Sequence, residues 1–422
     1  MNFKATGKPG FMNRPTLLLL STYPFQRPRH GGQIRLSEIA RTYRNSGFMV
    51  HPFAVYELEN YHKSDVGADD VPFDATSSFR LYRGRRVPFI NNFLAGRFAA
   101  SDEGAFQKIQ RRVPSHVDVI EIEQPWLLPL AQRLRRELPA CRHACLVYGS
   151  QNIEAPMIKS IFDSHGMCDA DDVLADIDAL EREAAREADL VFAVTAGDKT
   201  RLENFGARKV LLVHNGIASW RVSAERLDYW RSRLPAAPWL LFVASAHPPN
   251  FTDFMDCIGY SLACIPPSSR FVVAGSVGVH LHEILSKSRW RDINLSRLII
   301  LGMLDDQDLA AVKALTHGFL LPILAGGGSN IKTAEALYSG KYVICTPASL
   351  RGFDAYRSLP EVTVAESPAQ FQAAIRAVLC SAPAAPITPQ SKGIREGLLW
   401  DHCLAALPTI VTQLLENKKL VA

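Results

Sequence analysis

The stretch GGGSNIKTAEALYSGKYVICTP, residues 326–347, decides how the rest of this chain is read. Three consecutive glycines suit neither a helix nor a strand, and they let the backbone pass close to a ligand. Ser329 then reads as a helix N-cap, with free N–H groups and the positive end of the helix dipole facing the loop. A junction of that kind is an anion site. On the helix, Lys332 and Glu335 are three residues apart and share a face, the cation near the loop and the carboxylate one turn further on. GFLLPI (318–323) and YVICT (342–346) read as buried parallel strands on either side. The loop therefore stands at the carboxyl end of a strand in a doubly wound sheet, where such folds bind ligands. A plain strand–loop–helix connection with solvated Lys332 and Glu335 is the alternative.

The segment PILAGGGSNIKTAEALYSGKYVICTP resembles the donor-binding segment of retaining GT-B glycosyltransferases of glycosyltransferase family 4, in the subgroup with a Gly-Gly-x-Ser/Thr-x-x-Lys-x-x-Glu-Ala pattern. The resemblance implies an α/β fold of two facing Rossmann-like domains with parallel sheets and an interdomain cleft. It also implies a nucleoside diphosphate sugar as donor and retention at the anomeric carbon. Glu335 matches the family glutamate that holds the ribose hydroxyls, while the family's other glutamate, eight positions earlier, falls on Gly327. Lys332 and the backbone of Gly326, Gly327, Gly328, Ser329 and Asn330 are then expected at the diphosphate.

Working outward to the N-terminal side, residues 16–21 read as a buried strand and Tyr23 to Gly32 as a loop rich in Pro, Arg and Gly. A helix is expected from about Gln33 to Arg44 with Ile34, Ser37, Ile39 and Ala40 inward, followed by a strand at 49–55. The loop lacks G-x-G-x-x-G, which argues against a nicotinamide site. The resemblance carries a phosphate- or acceptor-facing Gly-Gly onto Gly31 and Gly32; a plain turn is the other reading. VDVIEIEQPW (117–126) is a strand ending in Glu121, Glu123 and Gln124, and with Arg35 the pair Glu123 and Gln124 is assigned to the acceptor. The strand at 144–148 ends in GSQNIEAP, where related transferases have His-Asn-x-Glu. Gln151, Asn152 and Glu154 are thus candidate catalytic residues beside Lys332, although Gln151 cannot take a proton at neutral pH.

Asp172 to Ala188 reads as an amphipathic helix with Val173, Leu174, Ile177, Leu180 and Ala184 inward and the charges from Glu181 to Glu187 solvated. His214-Asn215-Gly216 matches two of the three residues of the Pro-Asn-Gly that marks the exit from the first GT-B domain. The expected domains are 1–216, joined by a crossover helix at 396–422, and 217–395. The second opens with a strand at 239 and a loop in which Ser245, His247 and Asn250 offer neutral hydrogen bonds, with a helix from about Phe251. Met303 and Leu304, after the strand RLIILG (297–302), are expected at the nucleobase by the resemblance.

Composition bounds the alternatives. At 422 residues and 47% hydrophobic content the chain has material for two cores, and a net charge of +5 falls short of a nucleic-acid footprint. The eight cysteines lack metal spacing and read as reduced thiols of a cytoplasmic protein. The basic start followed by four leucines is too short for a signal or membrane span. Residues 79–98 interleave arginines with aromatics, which suits either peripheral contact with the cytoplasmic membrane face or a solvated loop with a partly buried aromatic set. No Asp-x-Asp metal motif is read, so no metal and no further cofactor is expected. The leading expectation is transfer of a sugar from a nucleoside diphosphate sugar to a glycan or lipid-linked acceptor, in bacterial surface polysaccharide or glycoconjugate synthesis. A catalytically silent nucleotide-sugar or glycan-binding module and a GT-B sugar-nucleotide epimerase are the rivals.

Overall fold

The computed structural model describes residues 14–421, so the basic segment 1–13 lies outside the described residues. Two compact units divide the chain: the first runs to Val213 and resumes at Leu404, and the second is His214–Cys403. The return to the first unit comes at Leu404 rather than at 396. Ile217 bridges to Leu399, and Gly216 packs so closely on the backbone of Leu399 and Trp400 that a Cβ would lie 2.8 Å from the Trp400 nitrogen. Those contacts hold both His214–Gly216 and 396–403 in the second unit.

The first unit is built on β1 (Thr16–Ser21), β2 (Met49–Glu57), β3 (Val71–Phe73), β4 (Val119–Glu123), β5 (Cys145–Gly149), β6 (Leu190–Ala193) and β7 (Val210–Leu212). Its sheet is parallel throughout, in the order β3-β2-β1-β4-β5-β6-β7. Leu17 to Leu20 are all fully buried, because helices cover both faces of a parallel sheet, and each contributes about 1.5–3 kcal/mol of transfer free energy. The second unit contains β8 (Trp239–Val243), β9 (Arg270–Ala274), β10 (Leu298–Gly302), β11 (Gly318–Leu321), β12 (Tyr342–Cys345) and β13 (Val362–Val364). They form another parallel sheet, ordered β10-β9-β8-β11-β12-β13. In each sheet the strand order reverses beside the first strand, between β1 and β4 and between β8 and β11. A crevice opens outside the carboxyl ends at such a point.

Several local expectations shift. Gly31 and Gly32 are not loop residues but the first turn of the helix Gly31–Asn45, whose buried face is Gln33, Arg35, Leu36, Ile39, Ala40 and Tyr43, with Ile34 and Ser37 only half-buried. The second-unit helix begins at Pro248, with proline in its first turn, and not at Phe251. Glu181 is fully buried on the inner face of the helix Asp171–Glu187 instead of solvated, while Leu174 and Leu180 are half-buried. All eight cysteines are free thiols; five are buried, whereas Cys168 and Cys380 are exposed and Cys403 is intermediate.

Residues 79–98 show why basic and aromatic residues alternate there. Arg80 pairs with Glu57 at 3.0 Å and Glu59 at 2.8 Å and lies over the Phe73 ring. Arg83 pairs with Asp176 at 3.1 Å, and Arg85 pairs with Asp169 at 3.3 Å and with Asp172. Tyr82 and Phe93 are buried, the latter on the helix Asn91–Ser101, and Arg97 stacks near both rings. Arg80, Arg83 and Arg85 are thus engaged by acids of the same unit. Among the described residues no helix is long and apolar enough to cross a membrane. The helix docks through Gly96, where a Cβ would meet the Trp126 carbonyl oxygen at 1.9 Å. Gly96→Ala is therefore expected to destabilise the protein by about 1–3 kcal/mol, the usual cost of overpacking. Urea unfolding that changes by less than 0.5 kcal/mol, within the ordinary range for surface substitutions, would show that the two segments part easily.

Candidate functional site

In the second unit the crevice beside β8 and β11 is floored by the glycine loop. Gly326 (φ 118°) and Gly328 (φ 57°) occupy the left-handed region that only glycine tolerates cheaply. Gly327 is not in that region, so its lack of a side chain is not a backbone requirement. The helix Ile331–Ser339 is not capped by Ser329: the N-cap is Asn330, and it makes no side-chain capping bond. The Ser329 hydroxyl is buried with no hydrogen-bond partner among the described residues. The N-terminal end of this helix and the Ser329 hydroxyl thus stand together at the loop, while the Thr333 amide donates to the Asn330 carbonyl at 3.0 Å.

Buried hydroxyls brace the loop from behind. Ser349 Oγ donates to the Leu321 carbonyl at 2.6 Å, Thr346 Oγ1 donates to the Ile323 carbonyl, and Thr333 Oγ1 donates to the Ser349 carbonyl at 2.8 Å. Asn215 Nδ2 donates to the Ser329 carbonyl at 3.2 Å, and Arg351 Nε donates to the Gly328 carbonyl at 2.9 Å.

Lys332 Nζ donates to Asn250 Oδ1 at 2.9 Å, joining the segment after β8 to the helix after β11. Asn250 in turn donates from Nδ2 to the Ser245 carbonyl at 3.0 Å. Burial lowers the Lys332 pKa to about 8 against the opposing pull of Glu335 and Asp253. Glu335 is held by the Lys313 ammonium at 2.6 Å. Ser245 and His247 are exposed beside Asn250, Met303 is 77% exposed, and Leu304 packs partly against the core.

In the first unit the crevice residues are mostly turned inward. Glu121, Glu123, Glu154 and Glu181 are all buried, with Arg35 as the buried cation among them. Tyr23 Oη donates to Gln151 Oε1 at 2.9 Å, and Gln151 Nε2 donates to Glu123 Oε2 at 2.9 Å. Arg35 Nε stands 3.9 Å from Glu123 Oε2 and its Nη1 donates to the Val213 carbonyl at 3.0 Å. Gln124, in a strained left-handed backbone (φ 69°), donates from Nε2 to Glu154 Oε1 at 3.0 Å. The Glu154 amide donates to Glu181 Oε2 at 2.9 Å, and Tyr43 Oη donates to Glu121 Oε2 at 2.7 Å. The glycines admit this packing, since a Cβ on Gly149 would lie 2.1 Å from Glu123 Oε1 and one on Gly32 would lie 2.5 Å from Tyr23 Oη.

Arg35, Glu123, Gln124 and Glu154, expected at the acceptor and in catalysis, are buried and hydrogen-bonded within the first unit, while Glu123 Oε1, Gln124 Oε1 and Glu154 Oε2 have no hydrogen-bond partner among the described residues. Gln151 and Asn152 are half-buried and Gly31 is exposed, so they form the reachable surface of this crevice. Tyr23 and Glu181 were not singled out from sequence, nor were Arg351 and Lys313. An arginine or hydroxyl at the carboxyl end of a neighbouring parallel strand was the available signal for Arg351.

The Asp-x-Asp spacing does occur in the chain, at Asp169/Asp171, Asp176/Asp178 and Asp306/Asp308. Asp169, Asp176, Asp178 and Asp308 are paired with Arg85, Arg83, Arg182 and Arg226. No cluster of three metal-ligating side chains is found among the described residues.

No protein-family model and no curated protein sequence matches the chain. Solved structures do. Sucrose-phosphate synthase from Thermosynechococcus elongatus aligns with a TM-score of 0.72 at 14% identity, over 96% of this chain and 100% of that one. HepE of Anabaena in complex with UDP aligns at 0.63 and 16% identity, over 94% and 100%. The catalytic domain of starch synthase IV from Arabidopsis thaliana, bound to ADP and acarbose, aligns at 0.60 and 12% identity, over 96% and 99%. The fold is GT-B. Identity this low establishes the fold of the two parallel-sheet α/β domains and nothing finer.

The buried carboxylates make the first GT-B domain sensitive to pH. Burial, reinforced by Glu181, raises Glu154 to about 8, and burial raises Glu181 to about 7. Burial and the charge of Glu123 push Glu121 well above the carboxylate range, and burial raises Glu123 against the opposing Arg35 guanidinium. A group whose folded pKa is raised stabilises the fold fully below its unfolded value. That contribution is lost as pH climbs from about 4.5 to about 8 for Glu154. Glu154→Gln keeps the acceptor for Gln124 and removes the titration. It should therefore stabilise the protein relative to wild type at pH 9 by about 1–3 kcal/mol and by little at pH 5. Equal thermal-melt differences at the two pH values would show that Glu154 is not held neutral.

Proposed function

We propose that this GT-B chain transfers a glycosyl group from a nucleoside diphosphate sugar to a glycan or lipid-linked acceptor, with retention and without a metal ion. The observation that carries the reading is the half-buried Lys332 ammonium, held to Asn250 at 2.9 Å across the carboxyl ends of β8 and β11, beside a glycine loop that leads into a helix with no side-chain cap. A diphosphate seated there would meet Lys332, the Ser329 hydroxyl and the first-turn N–H groups. These are groups that hold a developing negative charge on a leaving diphosphate without reorganising. Arg351, anchored on Gly328, adds a second cation beside the loop. Support also comes from structural neighbours of the same fold, solved as complexes of HepE with UDP and with UDP-glucose.

Glu335 is assigned to the ribose hydroxyls, with Lys313 orienting its carboxylate. Met303 and Leu304 are assigned to the nucleobase through their backbone, and Gly31, Gln151 and Asn152 to the sugar and acceptor. Glu123, Arg35 and Glu154 act as positioning residues behind them. Asn152 and Gln151 offer hydrogen bonds only, so no residue is nominated as a nucleophile, and the acceptor hydroxyl is taken to attack on the leaving-group side. We place the reaction in the cytoplasm, in bacterial surface polysaccharide or glycoconjugate synthesis. Nucleotide release from a panel of UDP-, GDP- and ADP-sugars, with and without acceptor and in the presence of EDTA, tests the reading. Binding of a nucleotide sugar with no release under any condition would instead identify a silent binding module.

Lys332→Met should lower kcat by about 10²-fold or more while changing KM less, as expected when a preorganised charge acts mainly in the transition state. A variant within twofold of wild type in kcat/KM would return Lys332 to the status of a structural lysine. The wild-type affinity for UDP should also fall as pH rises through about 8, because the free protein loses the ammonium there, and Lys332→Met should flatten that dependence. Glu335→Gln should weaken nucleotide binding by about 1–3 kcal/mol, measured by titration calorimetry.

A further inference from the structure

A second cavity of about 400 Å³ lies in the donor-type unit, away from the glycine loop. Its size falls within the usual range for small-ligand sites. Trp220 and Tyr338 line it as a tilted aromatic pair, their ring centroids 6.2 Å apart and their planes inclined by 31°. Lys313, Lys341, Lys392 and Arg395 also line it, against the single carboxylate of Glu396. Three of these cations are partnered: Lys313 by Glu335 at 2.6 Å, Arg395 by Glu361, and Lys392 by Glu396 at 3.8 Å. Lys341 has no ion pair among the described residues, although it is only half-exposed.

The backbone at that lysine is held in place. Gly340 ends the helix Ile331–Ser339 in the left-handed conformation (φ 69°), and Ile387 packs where its Cβ would be, at 2.6 Å. The Lys341 amide donates to Ser339 Oγ at 3.0 Å. Burial lowers the pKa of the Lys341 ammonium, so the charged form gains from any anion that enters. Lys313 stands on the helix Asp306–Leu315, 6% exposed, with its ammonium 5.2 Å from the Trp220 ring centroid. It thus touches the aromatic pair at one cavity and Glu335 at the other.

We propose that this cavity binds a small organic phosphate, its ring against Trp220 and its phosphate on Lys341. The four cations supply charge, the aromatic pair supplies a face for a sugar or aromatic ring, and Lys341 supplies the unneutralised charge that selects an anion. The assignment does not depend on the transferase reading of the glycine loop.

Phenyl phosphate and inorganic phosphate are the probes, added to the whole protein with tryptophan fluorescence and calorimetry as readouts. Phenyl phosphate should quench fluorescence and bind more tightly than inorganic phosphate. Lys341→Met should weaken it at least tenfold, Lys341→Arg should restore it, and Trp220→Phe should abolish the quenching while circular dichroism confirms that each variant is folded. Lys332→Met should leave this binding within twofold of wild type. Binding that is lost in Lys332→Met but retained in Lys341→Met would place the phosphate on the glycine loop and overturn the proposal. Absence of binding at 10 mM phenyl phosphate would overturn it as well.

Discussion

The contact between the Lys332 ammonium and the Asn250 amide oxygen sets the terms for the crevice of the second domain. An ammonium taken partly out of water needs oxygen around it, and here a neutral amide makes the direct contact while Glu335 and Asp253 act at longer range. A carboxylate in direct contact would neutralise the lysine and leave nothing for an incoming anion. A neutral partner orients it and leaves its charge to be used. Glu335, the nearby acid on the same helix, is occupied by Lys313. One buried lysine therefore keeps the other free of a carboxylate in direct contact.

That arrangement would fail without rigid backing, because a run of glycines is the most expensive kind of backbone to order. Thr333, Thr346 and Ser349 spend their hydroxyls on the carbonyls beside the loop, and Asn215 and Arg351 take two more. Each bond contributes only about 0.5–1.5 kcal/mol net, but together they hold five carbonyls of one short stretch and its brace. The loop can then present its N–H groups without a ligand having to order it, which is the condition for electrostatic stabilisation at low cost.

The first domain uses the same topology to opposite effect. At the carboxyl ends of β4 and β5 the polar side chains turn inward and bond to one another, and burial raises the pKa values of Glu123 and Glu154. The sequence could place these residues at strand tips but could not say which way they pointed. Glu181 shows the reason. By helical period it falls on the inner face with Ile177 and Ala184, where a carboxylate is unexpected, and Tyr148 and the Glu154 amide, brought in from 33 and 27 residues away, satisfy it there. The arginines of 79–98 are a similar case, because the acids that engage Arg83 and Arg85 lie more than 80 positions further along. Local pattern is sufficient for the glycine loop and for apolar strands such as LLLL, where the requirement is on the residue itself. It is insufficient wherever a charge is explained by a distant partner.

The departure at Gly327 can be weighed in the same terms. Its neighbours Gly326 and Gly328 are demanded by left-handed backbone, but Gly327 is not, so a side chain there would meet no conformational penalty of that kind. A glutamate at this point would put a further negative charge beside Lys332, already lowered towards neutrality by burial, and would raise its pKa while competing with a diphosphate for it. With glycine at 327 the lysine faces an anion alone. Under the proposed function, the loop thus adds no carboxylate to compensate the Lys332 charge. On the proposed function, recognition of the sugar within the second domain falls to backbone donors of the loop rather than to a side chain at 327.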